Sequence, residues 1–273
     1  MPHTLSFIGG GNMARSLIGG LIARGWEANQ IVVADPAPSQ LELLKSQYGV
    51  RTARDNSDAA QAADILVLAV KPQEMRTVTQ QISAMLKSNS PLIISVAAGI
   101  RASDIQRWAA GLPVVRCMPN RPALQGCGMT GLFATPDVDA NGRRVAEQIL
   151  GAVGATLWLE EESHMDAVTA ISGSGPAYFF LLIEMMEQAG VQLGLSAEIS
   201  RKLATETAYG SGLMAREASE SPATLRQQVT SKGGTTEAAL KHLESHDVRK
   251  LFVEALTAAA ERSAQLAAEF GNH

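Results

Sequence analysis

The sequence predicts an α/β protein in two parts: a doubly wound parallel sheet with helices on both faces, followed by an all-helical domain. Three observations lead there. Short β-rich runs alternate with helical patterns through the first half, the strand signals stop near residue 160, and a glycine-rich turn joins the first strand to the first helix. The expected division is 1–160 and 161–273.

Each element carries its own signal. The expected strands are Leu5 to Ile8, Ile31 to Ala34, Ile65 to Val70, Leu92 to Val96, Val114 to Met118, Leu132 to Ala134 and Thr156 to Leu159. Between the first two, Ala14, Leu17, Ile18, Leu21 and Ile22 form an i, i+3, i+4, i+7, i+8 stripe that ends at Arg24, with Gly25 as its cap. Strand, helix, strand at that spacing implies right-handed crossovers and parallel pairing. The run from Ile65 to Val70 is apolar without interruption, as suits a strand buried on both faces. Beyond residue 160 the chain reads as long helices broken at Gly173 to Pro176, Gly190 to Ser196, Ser219 to Pro222 and Ser231 to Gly234. No internal repeat, low-complexity tract or flexible linker separates the halves.

Composition narrows the function. At 273 residues and 46% hydrophobic, the chain has ample material for a substantial core. A net charge of -4 supplies no basic field for nucleic acid, and no lysine-rich run suggests an anionic membrane surface. The only cysteines, Cys117 and Cys127, form neither a disulfide framework nor a zinc cluster, and no metal site is expected. Met1-Pro2-His3-Thr4 leads almost straight into a strand with no charged leader, and no apolar run reaches the roughly 18 residues that span a bilayer. The expectation is a cytoplasmic protein with a small-molecule partner, and no nucleic acid or membrane partner.

Directly after Ile8 comes Gly9-Gly10-Gly11-Asn12-Met13-Ala14, a Gly-x-Gly-x-x-Ala pattern opening a helix. Alone such a pattern is weak, but the strand before it, the amphipathic helix after it and the second strand ending at Asp35 supply the context of a Rossmann-type dinucleotide site. Gly9 permits the tight turn, Gly11 admits the pyrophosphate, Ala14 lets helix and strand approach, and the helix-start N–H groups face the phosphates. A carboxylate at Asp35 favours ribose hydroxyls and repels a 2′-phosphate, which points to NAD(H); the competing reading is a turn residue opening Asp35-Pro36-Ala37-Pro38. Ala69-Val70-Lys71-Pro72, Val96-Ala97-Ala98-Gly99 and Met118-Pro119-Asn120 lie at further strand ends, the edge where open parallel sheets bind ligands. Lys71 suits either a phosphate or bulk solvent.

In the helical half, Val229-Thr230-Ser231-Lys232-Gly233-Gly234-Thr235-Thr236-Glu237 crowds hydroxyls and glycines at a helix start. Such a turn can hold a carboxylate with N–H groups and hydroxyls alone, although an ordinary cap at Thr235 or Ser231 explains it too. The stretch from Pro222 to Leu240 resembles the signature of the pyrroline-5-carboxylate reductase family. Phe7 to Ala14, Ala69 to Pro72, Met118 to Asn120 and Gly173-Ser174-Gly175-Pro176-Ala177-Tyr178 match the family pattern in order, so the resemblance covers essentially the whole chain. It implies reduction of 1-pyrroline-5-carboxylate to L-proline, the last step of proline biosynthesis. It also implies NADP(H), with NAD(H) possible, and a helical domain of the 6-phosphogluconate dehydrogenase C-terminal type whose halves interlock into a homo-oligomer built from dimers. On the resemblance, Ser231, Gly233, Gly234, Thr235 and Thr236 line the substrate pocket, Thr236 stands near the ring nitrogen as the catalytic residue, and Asn56 contacts the adenosine end of the cofactor. Asp35 departs from the small hydroxyl or basic residue that many members carry there.

A cyclic imine is basic enough to arrive protonated, so hydride transfer needs positioning more than a general acid, and no histidine stands at a strand end to act as one. Two other readings compete. A β-hydroxyacid dehydrogenase needs a lysine acid in the helical half, where Lys202, Lys232, Lys241 and Lys250 sit in no recognisable context; a non-catalytic dinucleotide-binding module leaves the hydroxyl-rich loop unexplained. His242 and His246, four apart, lack the surrounding pattern of a metal site, and the Met185-Met186 pair with Leu181, Leu182 and Ile183 reads as core or interface.

Overall fold

A computed structural model describes residues 4–271; Met1, Pro2 and His3, read above as the start of a leaderless segment, lie outside them. The order is β1 Leu5–Ile8, α1 Asn12–Ala23, β2 Ile31–Ala34, α2 Pro38–Tyr48, β3 Arg51–Thr52, α3 Asn56–Gln61, β4 Ile65–Leu68, α4 Pro72–Gln81 and α5 Ser83–Asn89. Then come β5 Leu92–Ser95, α6 Ala102–Trp108, β6 Val114–Met118, β7 Gly128–Ala134, α7 Ala140–Gly151 and β8 Gly154–Trp158. The strands form one sheet in the order β3-β2-β1-β4-β5-β6-β7-β8. The chain runs outward from β1 through β2 to β3, then returns past β1 to β4 and continues outward the other way, so the crevice between β1 and β4 is the topological switch point.

The two-residue period of the strands builds two cores. Leu5, Phe7, Ile31, Val33, Ile65 and Val67 face α1, where Ala14, Leu17, Ile18 and Leu21 meet them. Ile8, Val32, Leu66 and Leu68 point the other way, onto Met75, Ile82 and Leu86. Each fully buried large aliphatic side chain contributes about 1.5–3 kcal/mol, which is why the central strands tolerate so few polar residues. Two features depart from the sequence expectation. β3 is an additional strand, two exposed residues with no period to mark it in the sequence. β7 runs antiparallel to β6, because the link between them is a short 3-10 turn over Arg121–Gln125 and not a crossover helix.

The helical elements that follow are α8 Met165–Val168, a π turn Thr169–Gly173, α9 Gly175–Gln192, α10 Ala197–Glu217, α11 Pro222–Gln228, α12 Thr235–Ser245 and α13 Val248–Gly271. By packing, the chain up to Ser174 together with the stretch from Ala259 onward forms one compact unit, and Gly175–Ala258 forms the other. This division falls later than the end of the strand signals at 160. Val168 of α8 packs so closely over β7 that a Cβ on Gly131 would lie 2.8 Å from its Cγ1. The end of α13 is tied to the same unit, with Ser263 Oγ donating to Asp166 Oδ1 at 2.6 Å and Arg107 donating to the Gly271 carbonyl at 3.2 Å.

The expected break at Gly173 to Pro176 is instead a continuous helical run from Glu162 to Gln192. Pro176 has no N–H to give to the Ser172 carbonyl four residues back, and a π turn absorbs the mismatch, with Ser174 N–H reaching Thr169 O at 2.8 Å. Asn120 fills the vacancy, its Nδ2 donating to Ser172 O at 3.2 Å and Oγ at 3.1 Å while its Oδ1 accepts from Met129 N–H at 2.9 Å. Asn120→Leu keeps the volume but strips these bonds, at a cost of about 2 kcal/mol and roughly 6 °C in Tm by calorimetry; an unchanged Tm would reject the clamp.

By length and composition alone, the Glu162–Gln192 run is apolar enough to cross a membrane. Its apolar side chains Phe179, Phe180, Leu181, Leu182, Met185 and Met186 are exposed in the single chain, so they are not core. The other predicted breaks hold: Ser196 caps α10 by accepting from Ile199 N–H, and Ser221 caps α11 by accepting from Thr224 N–H.

Candidate active site

Every predicted cofactor residue of the first unit falls at the C-terminal edge of the sheet. Ile8 ends β1, Gly9, Gly10 and Gly11 follow it, Asn12 and Met13 open α1, Asp35 follows β2, Asn56 opens α3, Ala69 to Lys71 link β4 to Pro72 of α4, Ala97 to Gly99 follow β5, and Asn120 follows β6. Gly9 adopts φ +98, and a Cβ there would lie 2.6 Å from the Ala69 carbonyl oxygen. The first turn and the neighbouring strand β4 therefore meet backbone to backbone. Gly11 is different: its φ of -67 suits any residue, and a Cβ on it would meet nothing within 4 Å. Among the described residues, the N–H groups of Gly11, Asn12 and Met13 find no acceptor, while Arg15 N–H takes the Gly11 carbonyl. Open space beside unpaired amides at a helix start fits an anionic pyrophosphate.

Asp35 closes its own turn and also reaches across to the glycine turn. Its Oδ1 accepts from Ala37 N–H at 2.8 Å, closing the turn onto α2, and its Oδ2 accepts from Gly10 N–H at 2.7 Å, pinning the glycine turn. The carboxylate is thus a buckle between two loops as well as a face of the cleft. That cleft, of about 460 Å³, is lined by Gly9, Asp35, Asn56 and Val70 together with residues the sequence reading did not single out: Pro36, Arg54, Asp55 and the α4 face of Gln73, Glu74, Thr77, Val78 and Gln81. Asp55 caps α3 by accepting from Asp58 N–H at 2.9 Å. Arg54 and Asp55 carry no sequence signal because β3, which they follow, is too short to show a pattern. A smaller cavity of about 280 Å³, bordered by Asp64, Ser90, Asp137 and Asp139, lies at the opposite edge of the sheet, away from the loops that bind ligands in this architecture.

In the second unit the Ser231 to Thr236 loop runs into α12. The cap is Gly234, with no side-chain cap bond, so neither Thr235 nor Ser231 fills the ordinary capping role. Gly233 takes φ +75 and its N–H donates to Glu237 Oε2 at 2.6 Å. That bond, with Lys241 next in effect, holds the Glu237 carboxyl below its usual range. The N–H groups of Thr235, Thr236 and Glu237 have no acceptor among the described residues, leaving a second cluster of donors at a helix start. The exposed rings of His242 and His246 lie with centroids 4.4 Å apart at a tilt of 42° near the end of α12, and no group of metal-ligating side chains forms among the described residues.

An open sheet, a glycine turn at its switch point and a cleft beside it define the dinucleotide-binding α/β class of oxidoreductases. Residues 4–99 match a family model described as NADP oxidoreductase coenzyme F420-dependent, and residues 162–266 one described as pyrroline-5-carboxylate reductase dimerisation. The chain is 47% identical over 268 residues to the pyrroline-5-carboxylate reductase of Pseudomonas aeruginosa, covering 98% of each. It belongs to the pyrroline-5-carboxylate reductase family. The solved reductase of Coxiella burnetii superposes with a TM-score of 0.94 at 43% identity, over 97% of this chain and 99% of that one. The Plasmodium falciparum enzyme, solved with NADP bound, gives 0.84 at 29% identity, over 97% and 98%. A ketol-acid reductoisomerase at 14% identity and TM-score 0.68 shares the fold alone, covering 99% of this chain and 86% of that one.

Proposed function

We propose that this chain reduces 1-pyrroline-5-carboxylate to L-proline at the expense of NADPH or NADH, as the last step of proline biosynthesis in the cytoplasm. Full-length identity of 47% to a reductase of that name carries the reading. The open space at Gly11 and the unpaired amides from Gly11 to Met13 support the dinucleotide. The apolar helices of 175–258, inside the segment matched by the dimerisation family model, support a homo-oligomer built from dimers.

When bound, the dihydronicotinamide supplies the hydride. The rest of the task belongs to the chain. Gly11, Asn12 and Met13 hold the pyrophosphate through main-chain N–H groups, with Ile8, Gly9 and Gly10 shaping the turn around it. Ala69, Val70, Lys71 and Pro72, Ala97, Ala98 and Gly99, and Asn120 form the further wall of the nucleotide site, with Asn56 toward the adenosine. The unpaired amides of Thr235 and Thr236, within the Ser231, Gly233 and Gly234 loop, receive the substrate carboxylate. Glu237 keeps Gly233 in its left-handed conformation and so fixes the shape of that cradle. The Thr236 hydroxyl hydrogen-bonds the ring nitrogen, which arrives protonated, so catalysis rests on orientation.

The test is loss of absorbance at 340 nm with 1-pyrroline-5-carboxylate, run in parallel with NADPH and NADH. Turnover supports the reading, and its absence with both removes it. Thr236→Ala is expected to lower kcat/KM by about tenfold to a hundredfold while cofactor affinity stays within twofold. An unchanged kcat/KM would strip Thr236 of its role.

A further inference from the structure

We propose that Arg54 is the residue by which this chain distinguishes a nucleotide bearing a 2′-phosphate from one bearing a free 2′-hydroxyl; the inference rests on the dinucleotide reading of the first unit. A cation beside the adenosine ribose is what a 2′-phosphate requires. The usual place for it is the turn after β2, but here Asp35 is followed by Pro36, Ala37 and Pro38, none of which carries charge. Among the described residues lining the cleft, Arg54 alone is cationic. It lies two residues past β3, whose partner strand β2 leads directly into Asp35, and it precedes Asn56 by two residues.

The neighbouring carboxylates are largely committed. Asp35 receives an N–H at each oxygen, and Asp55 caps α3. Asp58 is the partner of Arg54 itself: Nε donates to Oδ2 at 2.7 Å and Nη2 to Oδ1 at 3.4 Å. No partner for Nη1 exists among the described residues, and the side chain is 89% exposed, so the guanidinium can offer its free edge without breaking a buried contact. Glu74, in the first turn of α4, also lines the cleft and opposes a phosphate. The resulting preference is set by the balance between Arg54 and the acids around it. Asp58 competes with the phosphate for the same guanidinium, and it therefore tunes the preference downward.

The test uses the full chain and two nucleotide fragments, adenosine 2′,5′-bisphosphate and AMP, titrated calorimetrically without substrate. For the wild type both bind. Arg54→Ala lowers the ratio of bisphosphate to AMP affinity about tenfold, and Asp58→Asn raises it about threefold, each change shrinking as salt is added. Opposite signs from two exposed neighbours exclude a general loss of the cleft, which would move both variants the same way. Binding of both fragments with an unaltered ratio in Arg54→Ala overturns the assignment while leaving the dinucleotide reading intact. Failure of the wild type to bind either fragment overturns both.

Discussion

Gly9→Val is expected to leave little folded protein. The substitution demands a β-branched residue at φ +98, and it drives a Cβ to 2.6 Å from the Ala69 carbonyl oxygen and 2.8 Å from its carbon. Both obstacles are backbone atoms of Ala69, directly after β4, and the paired strands β1 and β4 cannot slide. Gly9 N–H donates to Ala34 O at 2.8 Å, and Ala69 N–H donates to Ile8 O at 2.8 Å. Relief would mean separating β1 from β4 at the centre of the sheet. A penalty of at least about 4 kcal/mol is a large part of the roughly 5–15 kcal/mol by which domains are stable. Soluble yield and thermal denaturation measure it, with Tm lower by at least about 10 °C. A variant melting within two or three degrees of the wild type would refute the packing described at the switch point.

Gly11→Val is expected to do the reverse: fold normally and lose the dinucleotide. The backbone there is extended in a way any residue adopts, and the new side chain meets no protein atom. What it fills is the space next to the unpaired amides of Asn12 and Met13, where the pyrophosphate is proposed to lie. Affinity for NADPH and NADH should fall by about a hundredfold or more, with Tm in the absence of nucleotide unchanged. Undiminished binding would move the nucleotide elsewhere. Two glycines two residues apart thus separate into one that clears a path for the protein and one that clears a path for its ligand.

The sequence distinguishes these glycines only in part. β1, α1 and the turn between them are legible because a two-residue period gives way to a 3.6-residue one at Gly9, and every residue involved is a near neighbour in the chain. The Ala69 carbonyl that makes Gly9 obligatory belongs to the residue after β4, sixty positions on, and nothing near Gly9 announces it. Asp35 posed a choice between turn residue and cofactor-facing carboxylate; the structure shows that it closes its own turn and reaches across to Gly10, a bond that exists only once β1 and β2 are paired. Arg54 has no signature in the sequence because a two-residue, exposed strand leaves no pattern. Gly173 to Pro176 looked like a break because a proline interior to a helix orphans a carbonyl. The group that satisfies it, Asn120, is fifty-two residues away. The hydroxyl-rich loop was the most legible part of the second unit, although its cap is Gly234 and its latch is Glu237.

The return of α13 to the first unit has a consequence for the order in which the molecule can be made. The nucleotide-binding unit is discontinuous in the chain: its last piece, from Ala259, follows the whole of Gly175–Ala258. Leu266 and Phe270 of that piece lie within 4 Å of where a Cβ on Gly99 would stand, and Ser263 ties it to Asp166. During synthesis on the ribosome, the sheet can assemble early, but the loop after β5 stays without its backing until the final helix emerges. The unit that would bind nucleotide is thus the first to begin folding and the last to be completed, and a nascent chain holds no finished dinucleotide site until its second unit has been translated.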